Sequence, residues 1–252
     1  MRVLILGGTS EASELGRTLA RDGRFQATIS LAGRTKNPGR QSVPTRIGGF
    51  GGVDGLAHYL IEHRIDALID ATHPFATKMT CHAELAARET GTPLLVIYRP
   101  AWQRHEGDRW IEVPDVQAAA QAIGAIPRRV LLTIGQKDLA ALSSAPCHHY
   151  VIRSVDAPPQ EHLPPHAEVI TARGPFAVEE ECALLRRRRI DVLVTKNSGG
   201  RATAAKLHAA RQLDLPVIMV SRPAPPRART VATVAEVLEW LEHRHMAYQR
   251  GE

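Results

Sequence analysis

One hexapeptide occurs twice in the chain, and that recurrence restricts the fold more than any other feature. Arg64-Ile65-Asp66-Ala67-Leu68-Ile69 returns 125 positions later as Arg189-Ile190-Asp191-Val192-Leu193-Val194. A turn and a helix-like stretch follow each copy. Pro93-Leu94-Leu95-Val96-Ile97-Tyr98-Arg99-Pro100 is then answered, at a spacing of 123, by Pro216-Val217-Ile218-Met219-Val220-Ser221-Arg222-Pro223. The opening Arg2-Val3-Leu4-Ile5-Leu6-Gly7 has a looser counterpart in Arg129-Val130-Leu131-Leu132-Thr133-Ile134-Gly135. Short apolar runs alternating with amphipathic segments predict parallel sheets covered by helices.

The periodicity places strands near residues 2–6, 27–32, 46–48, 67–70 and 93–98, with helices near 10–21, 53–63 and 77–89. Residues 99–108, with Pro100 and Gly107, read as a connection. A second series of strands follows near 130–134, 150–155, 169–172, 192–195 and 217–220. The expected fold class is therefore α/β, with two Rossmann-like parallel-sheet domains related by an internal repeat and a cleft between them. Residues 1–100 form the first domain and 101–252 the second, with an approximate boundary and terminal strands open to exchange. Ligands of such sheets sit beyond the carboxyl ends of the strands.

Composition narrows the partners. The chain has 252 residues, enough for one or two domains. No run approaches the roughly 20 apolar residues of a membrane-spanning helix. Three cysteines without a Cys-x-x-Cys spacing argue against a disulfide framework or a cysteine zinc site. A cytoplasmic protein is expected, with no membrane partner. Lys+Arg is 32 against 26 for Asp+Glu, and only five of the basic residues are lysines. Guanidinium forks grip carboxylates and phosphates in pairs. With 4% aromatic residues and no recognised nucleic-acid motif, small anionic ligands rank above nucleic acid. The 12 histidines form no convincing metal constellation, so no metal is expected. Nothing in the sequence signals an oligomeric state.

The first strand runs into Gly7-Gly8-Thr9-Ser10-Glu11-Ala12. A helix starting there points backbone N–H groups at an anion, and phosphate is the natural guest. The pattern departs from Gly-x-Gly-x-x-Gly at Thr9 and Ala12, and Glu11 adds an unfavourable negative charge. The second strand ends in Gly33-Arg34-Thr35-Lys36, where an enzyme using the unphosphorylated cofactor keeps an acidic residue. Arg34 and Thr35 favour a 2′-phosphate, so NADPH is expected over NADH. The third strand ends in Gly48-Gly49-Phe50-Gly51-Gly52, a density of glycine that marks a ligand approaching backbone, here at Gly49 and Gly51. After the fourth strand, in Asp70-Ala71-Thr72-His73-Pro74-Phe75-Ala76, Thr72 and His73 fall on the nicotinamide side, while Asp70 satisfies local backbone donors.

In the second half, Thr195-Lys196-Asn197-Ser198-Gly199-Gly200-Arg201 gathers an ammonium, an amide, a hydroxyl and two glycines at one strand end. That set suits a carboxylate- or phosphate-bearing ligand. Gly135-Gln136-Lys137 and Arg173-Gly174-Pro175-Phe176 end other strands with more donors. Lacking a double-glycine turn after its first strand, this half reads as the substrate side.

Taken together, Gly7 to Ala12, Asp70 to Ala76 and Thr195 to Gly200, in this order and spacing, resemble the precorrin-6A reductase family of cobalamin biosynthesis over nearly the whole chain. The resemblance implies an NADPH-dependent oxidoreductase that reduces one C=C double bond of a polycarboxylate tetrapyrrole, converting precorrin-6A to precorrin-6B. A related branch acts on the cobalt-containing form. A macrocycle bearing many carboxylates accounts for the arginines. On this reading Gly7, Gly8, Thr9, Ser10, Arg34, Thr35, Gly49, Gly51, Thr72 and His73 hold the cofactor. Gly135, Arg173, Lys196, Asn197, Ser198, Gly199 and Gly200 hold the macrocycle, and His73 and Lys196 are the candidate proton donors. Rival readings are a carbonyl reductase and a non-catalytic NAD(P)H-binding or nucleic-acid-binding regulator. Against the first, none of the four tyrosines has a lysine four residues later.

Overall fold

The computed structural model describes residues 1–33, 35 and 38–250, apart from the side chains of Tyr248 and Arg250. The chain divides into two units, Met1–Pro100 with Pro223–Glu252, and Ala101–Arg222. The first unit begins with β1 (Arg2–Leu6), α1 (Ser10–Leu19), β2 (Gln26–Leu31), β3 (Thr45–Ile47) and α2 (Val53–Glu62). It continues through β4 (Ala67–Asp70), α3 (Thr77–Thr90) and β5 (Leu94–Ile97). The second unit holds β6 (Trp110–Val113), α4 (Val116–Ile123), β7 (Arg129–Thr133), β8 (His149–Ser154) and β9 (Ala167–Thr171). After these come α5 (Val178–Arg187), β10 (Val192–Lys196), α6 (Ala205–Gln212) and β11 (Val217–Val220). Then β12 (Thr230–Val231) and α7 (Val234–Arg250) return to the first unit.

Each unit is built on one six-stranded sheet, in the orders β12-β5-β4-β1-β2-β3 and β6-β11-β10-β7-β8-β9, and every strand pairing is parallel. These are doubly wound orders, and central strands such as β1 and β4 are apolar on both faces because helices cover both. In the first unit Leu15 and Leu19 of α1 share a core with Val234, Val237 and Leu241 of α7. Leu56 and Leu60 of α2 pack with Ala83, Ala86 and Ala87 of α3 in a separate cluster.

The repeat is reproduced down to single hydrogen bonds. Arg64 and Arg189 both take φ of 49°, a left-handed conformation that ends α2 and α5 in the same way. The Arg2 N–H donates to Asp66 Oδ2 at 2.7 Å, and the Arg129 N–H donates to Asp191 Oδ2 at 2.7 Å. The same two arginine side chains reach back to the carbonyls of His63 and Arg188. Asp66 and Asp191 therefore pin the start of each first strand, which explains why the hexapeptide survives in both halves.

Two short strands were not expected. β6 follows the stretch read as a connection, and β12 has two residues, too few for a period-2 signal. They matter for topology: each sheet takes its sixth strand from chain that has just completed the fifth strand of the other. The extent expected for the second lobe, residues 101–252, consequently ends at Arg222. The segment beyond it joins the first unit because Thr230 and Val231 register with Val96 and Ile97. In place of a helix like α1, Gly135 leads into a 3-10 stretch, Gln136–Ser144.

Candidate functional site

The first unit collects its predicted residues at the carboxyl ends of four adjacent strands, and main-chain bonds tie those ends together. The Gly7 N–H donates to the Ser30 carbonyl, Ala71 N–H to Leu6, and Gly48 N–H to Leu31, each at 2.9 Å. Thr9 is the N-cap of α1, its Oγ1 accepting from the Ala12 N–H at 3.2 Å and donating to the Ala71 carbonyl at 2.6 Å. That hydroxyl thus joins the turn after β1 to the loop after β4. A Cβ on Gly7 would stand 2.8 Å from Ile29 Cγ1, so close strand packing demands glycine there. Gly8 has φ of +118° and a Cβ there would meet nothing within 4 Å, leaving backbone accessible beside the helix N-terminus.

The charge expected to disturb this turn is neutralised. Glu11 Oε2 accepts from Arg99 Nη1 at 2.7 Å and from Ser10 Oγ at 3.0 Å. Burial pushes the Glu11 carboxyl up, but the Arg99 guanidinium together with the backbone and Ser10 hydrogen bonds holds the group below the usual range. Arg99 lies outside the motif, so sequence reading passed over it.

The glycine loop after β3 has its own clamp. Arg46 Nη1 donates to the Gly48 carbonyl at 2.5 Å and to Ser30 Oγ at 3.3 Å, and Nη2 donates to the Gly49 carbonyl at 2.7 Å. The guanidinium lies 3.8 Å from the Phe50 ring centroid. Gly51 and Gly52 have φ of +86° and +112°, and a Cβ on Gly55 would fall 1.7 Å from the Phe50 carbonyl oxygen. Thr35 is half-buried after β2, whereas Arg34 and Lys36 lie outside the described residues.

Asp70 is buried and accepts from the Thr72 N–H at 2.9 Å and from Thr72 Oγ1 and Thr80 Oγ1 at 2.7 Å each. Burial pushes its carboxyl up against those hydrogen bonds. His73 Nδ1 accepts from the Phe75 N–H at 3.3 Å, so the neutral ring carries its proton on Nε2. Asp70, Thr72, His73, Thr80 and Tyr98 line a pocket of about 150 Å³ at the ends of β4 and β5.

The second unit likewise gathers its predicted residues at strand ends. Lys196 Nζ donates to Asp138 Oδ2 at 2.6 Å. Asp138 was not anticipated, although it stands only three residues after Gly135. A Cβ on Gly135 would lie 3.0 Å from that same Oδ2. Gln136 Nε2 bonds Ser154 Oγ at 3.1 Å and the Asp156 carbonyl at 2.8 Å. The Asn197 carboxamide takes the Trp102 N–H at 2.8 Å and gives to the Trp102 carbonyl at 3.1 Å, which makes it a strut beneath the loop. Ser198 is buried, Gly199 has φ of +69°, and Arg173 is exposed after β9. Among the described residues no group of three or more His, Cys, Asp and Glu side chains is placed to hold a metal, and no helix is long and apolar enough to cross a membrane.

Two doubly wound parallel sheets, the first with glycine turns and a capped helix N-terminus at its carboxyl edge, define the class: a Rossmann-like α/β protein. Comparison with known proteins makes the assignment particular. Residues 2–242 match the family described as Precorrin-6x reductase CbiJ/CobK, and the chain belongs to that family. A Precorrin-6A reductase of Sinorhizobium sp is 51% identical over 96% of this chain and 93% of its own, and one from Rhodobacter capsulatus is 49% identical over 99% of both. The solved structure of CobK precorrin-6A reductase superposes with a TM-score of 0.93 at 48% identity, covering 97% of each chain. A Cobalt-precorrin-6A reductase of Priestia megaterium is 29% identical over 95% of this chain and 97% of its own. The protein is thus a reductase, an oxidoreductase of cobalamin biosynthesis that draws on a nicotinamide cofactor.

Proposed function

We propose that this chain reduces one C=C double bond of precorrin-6A, giving precorrin-6B, with NADPH as the cofactor. The contrast between relatives carries the choice of substrate: those named Precorrin-6A reductase share 51% and 49% of their residues with it, and the cobalt-precorrin relative 29%. When bound, NADPH supplies the hydride. Gly7, Gly8 and Ser10 offer backbone and helix N-terminus to its phosphates, with Thr9 locking the turn. Gly49 and Gly51 leave room for its approach, and Arg34 with Thr35 selects the 2′-phosphate. The pocket beside Thr72 and His73 suits the nicotinamide, since a cavity of about 150 Å³ accommodates a single six-membered ring.

Gly135, Arg173, Lys196, Ser198, Gly199 and Gly200 present the second unit to the macrocycle carboxylates, with Asn197 bracing them. Such a reduction asks mainly for alignment and exclusion of water, plus one proton. His73, in the loop after β4, and Lys196, at the end of β10, are the candidate donors of that proton. A cytoplasmic setting suits the three free thiols, Cys81, Cys147 and Cys182.

An anaerobic assay with purified precorrin-6A, following NADPH oxidation and the substrate spectrum together, tests the reading. Coupled changes are expected, faster than with the cobalt form; cofactor binding without turnover would make this a binding protein. Arg34→Ala should weaken NADPH about ten- to a hundredfold more than NADH, the loss of one charge-assisted contact. Single-turnover rates unchanged in His73→Ala and Lys196→Ala at saturating substrate would remove both from the chemical step.

A further inference from the structure

At three buried positions the second unit carries charge where its repeat carries none. Arg153 on β8, Glu181 on α5 and Lys206 on α6 are 8%, 1% and 4% exposed. Strand register and repeat spacing align them with Ser30, Leu56 and Ala83 of the first unit. There, Leu56 and Ala83 belong to one apolar cluster. The first unit shows that this fold is complete without the charges. Because buried ion pairs are seldom more stabilising than apolar residues of similar size, the triad asks for a reason other than stability.

Its contacts lead to the strand ends. Arg153 pairs with Glu181, and its guanidinium lies 4.1 Å from the Phe176 ring centroid, at the end of the segment that begins with Arg173. Lys206 Nζ lies 5.0 Å from the ring centroid of Trp102, whose backbone is held by Asn197. Arg222 Nε donates to the Asn197 carbonyl at 2.8 Å. The second carboxylate oxygen of Glu181 has no hydrogen-bond partner among the described residues.

We propose that Arg153, Glu181 and Lys206 form a positioning network for the polycarboxylate site of the second unit, setting the Arg173 segment through Phe176 and the Asn197 loop through Trp102. The inference rests on the reading of that unit as the macrocycle side. The groups facing Lys206 are Arg153 from β8, Glu181 from α5 and the Trp102 ring. Burial and the Arg153 charge bring its amine down to about 7, against the pull of Glu181. A protonated amine is attracted to the ring face and a neutral one is not. Hold on the Asn197 loop therefore loosens as pH rises through neutrality.

The test is the steady-state kinetics of the full chain with precorrin-6A and NADPH from pH 6 to 8.5. In the parent the macrocycle KM should rise across that range. Lys206→Met, which keeps an unbranched side chain one atom shorter and removes the charge, should raise that KM about three- to tenfold at pH 6.5, the size of one cation–ring contact, and flatten its pH profile. The KM for NADPH should stay within about twofold, since the first unit is untouched. The triple variant Arg153→Ser, Glu181→Leu and Lys206→Ala installs the residues of the first unit and should fold while showing at least the same defect. If it does not fold, Lys206→Met alone decides. An unchanged macrocycle KM and pH profile in Lys206→Met overturns the proposal. Arg173→Ala separates the causes: if it raises the macrocycle KM while Lys206→Met does not, the network fails alone. If neither moves it, the assignment of the second unit falls and takes the network with it.

Discussion

The turn after β1 is two glycines and a capping threonine that start a regular helix, whereas the turn after β7 is a single glycine and a 3-10 stretch. The carbonyl-clamping arginine of the first unit, Arg46, stands on β3 over Phe50, while in the second unit an arginine over a phenylalanine comes from the neighbouring strand, as Arg153 over Phe176. Yet Asp66 and Asp191 pin their sheets with bonds of equal length. What both units keep, at the amino ends of the strands, is scaffold. What they have changed, at the carboxyl ends, are the turns and side chains to which the two ligands are assigned by proposal. Divergence within one repeat thus separates residues that make the fold from residues that make the site.

The largest effect should come at Gly55. Its Cβ would collide with the Phe50 carbonyl at 1.7 Å, so Gly55→Ala should cost about 3 kcal/mol or more and lower NADPH affinity over tenfold. The repeat places Glu180 at the equivalent position, and Glu180→Ala should change stability by less than about 1 kcal/mol, as judged by denaturant titration. Comparable losses at both sites would break the distinction between the two glycine patterns.

Arg46→Ala should come next. Without its fork on the Gly48 and Gly49 carbonyls, NADPH binding should weaken about tenfold, the loss of roughly 1.5 kcal/mol of charge-assisted hydrogen bonding. Titration calorimetry reads this directly, and Arg46→Lys should not restore it because an ammonium lacks the planar fork.

A pH slope should distinguish the units further. Lys206 is held at about 7 folded against an ordinary 10.5, so the unfolded chain binds more protons between those values. Stability of the second unit should therefore climb as pH rises from about 7 to about 10.5, with the full penalty present below 7. Hydrogen exchange of β7 and β10 amides should show that slope, β1 and β4 should lack it, and Lys206→Met should abolish it. Smallest of all, Asp66→Asn and Asp191→Asn should each cost about 0.5–1.5 kcal/mol and match one another. Unequal costs would show that the shared anchor is not equivalent in the two sheets.

Much of this was legible in the chain itself. The strands β1, β4, β7, β10 and β11 announce themselves as apolar runs, because a strand covered on both faces has no polar side to show. Gly8, Gly48, Gly51 and Gly52 take positive φ and are local requirements of backbone geometry, and Lys196 to Gly200 is a contiguous segment. For those reasons the repeat, the parallel α/β class and the family were readable from residues alone. Only the tertiary structure decided the rest. β12 is two residues long, and what makes it a strand is the edge that β5 leaves open. Arg99 beside Glu11, Asp138 beside Lys196, and Arg153, Glu181 and Lys206 together are pairings set by distance in space, which hydrophobic period and spacing along the chain do not encode.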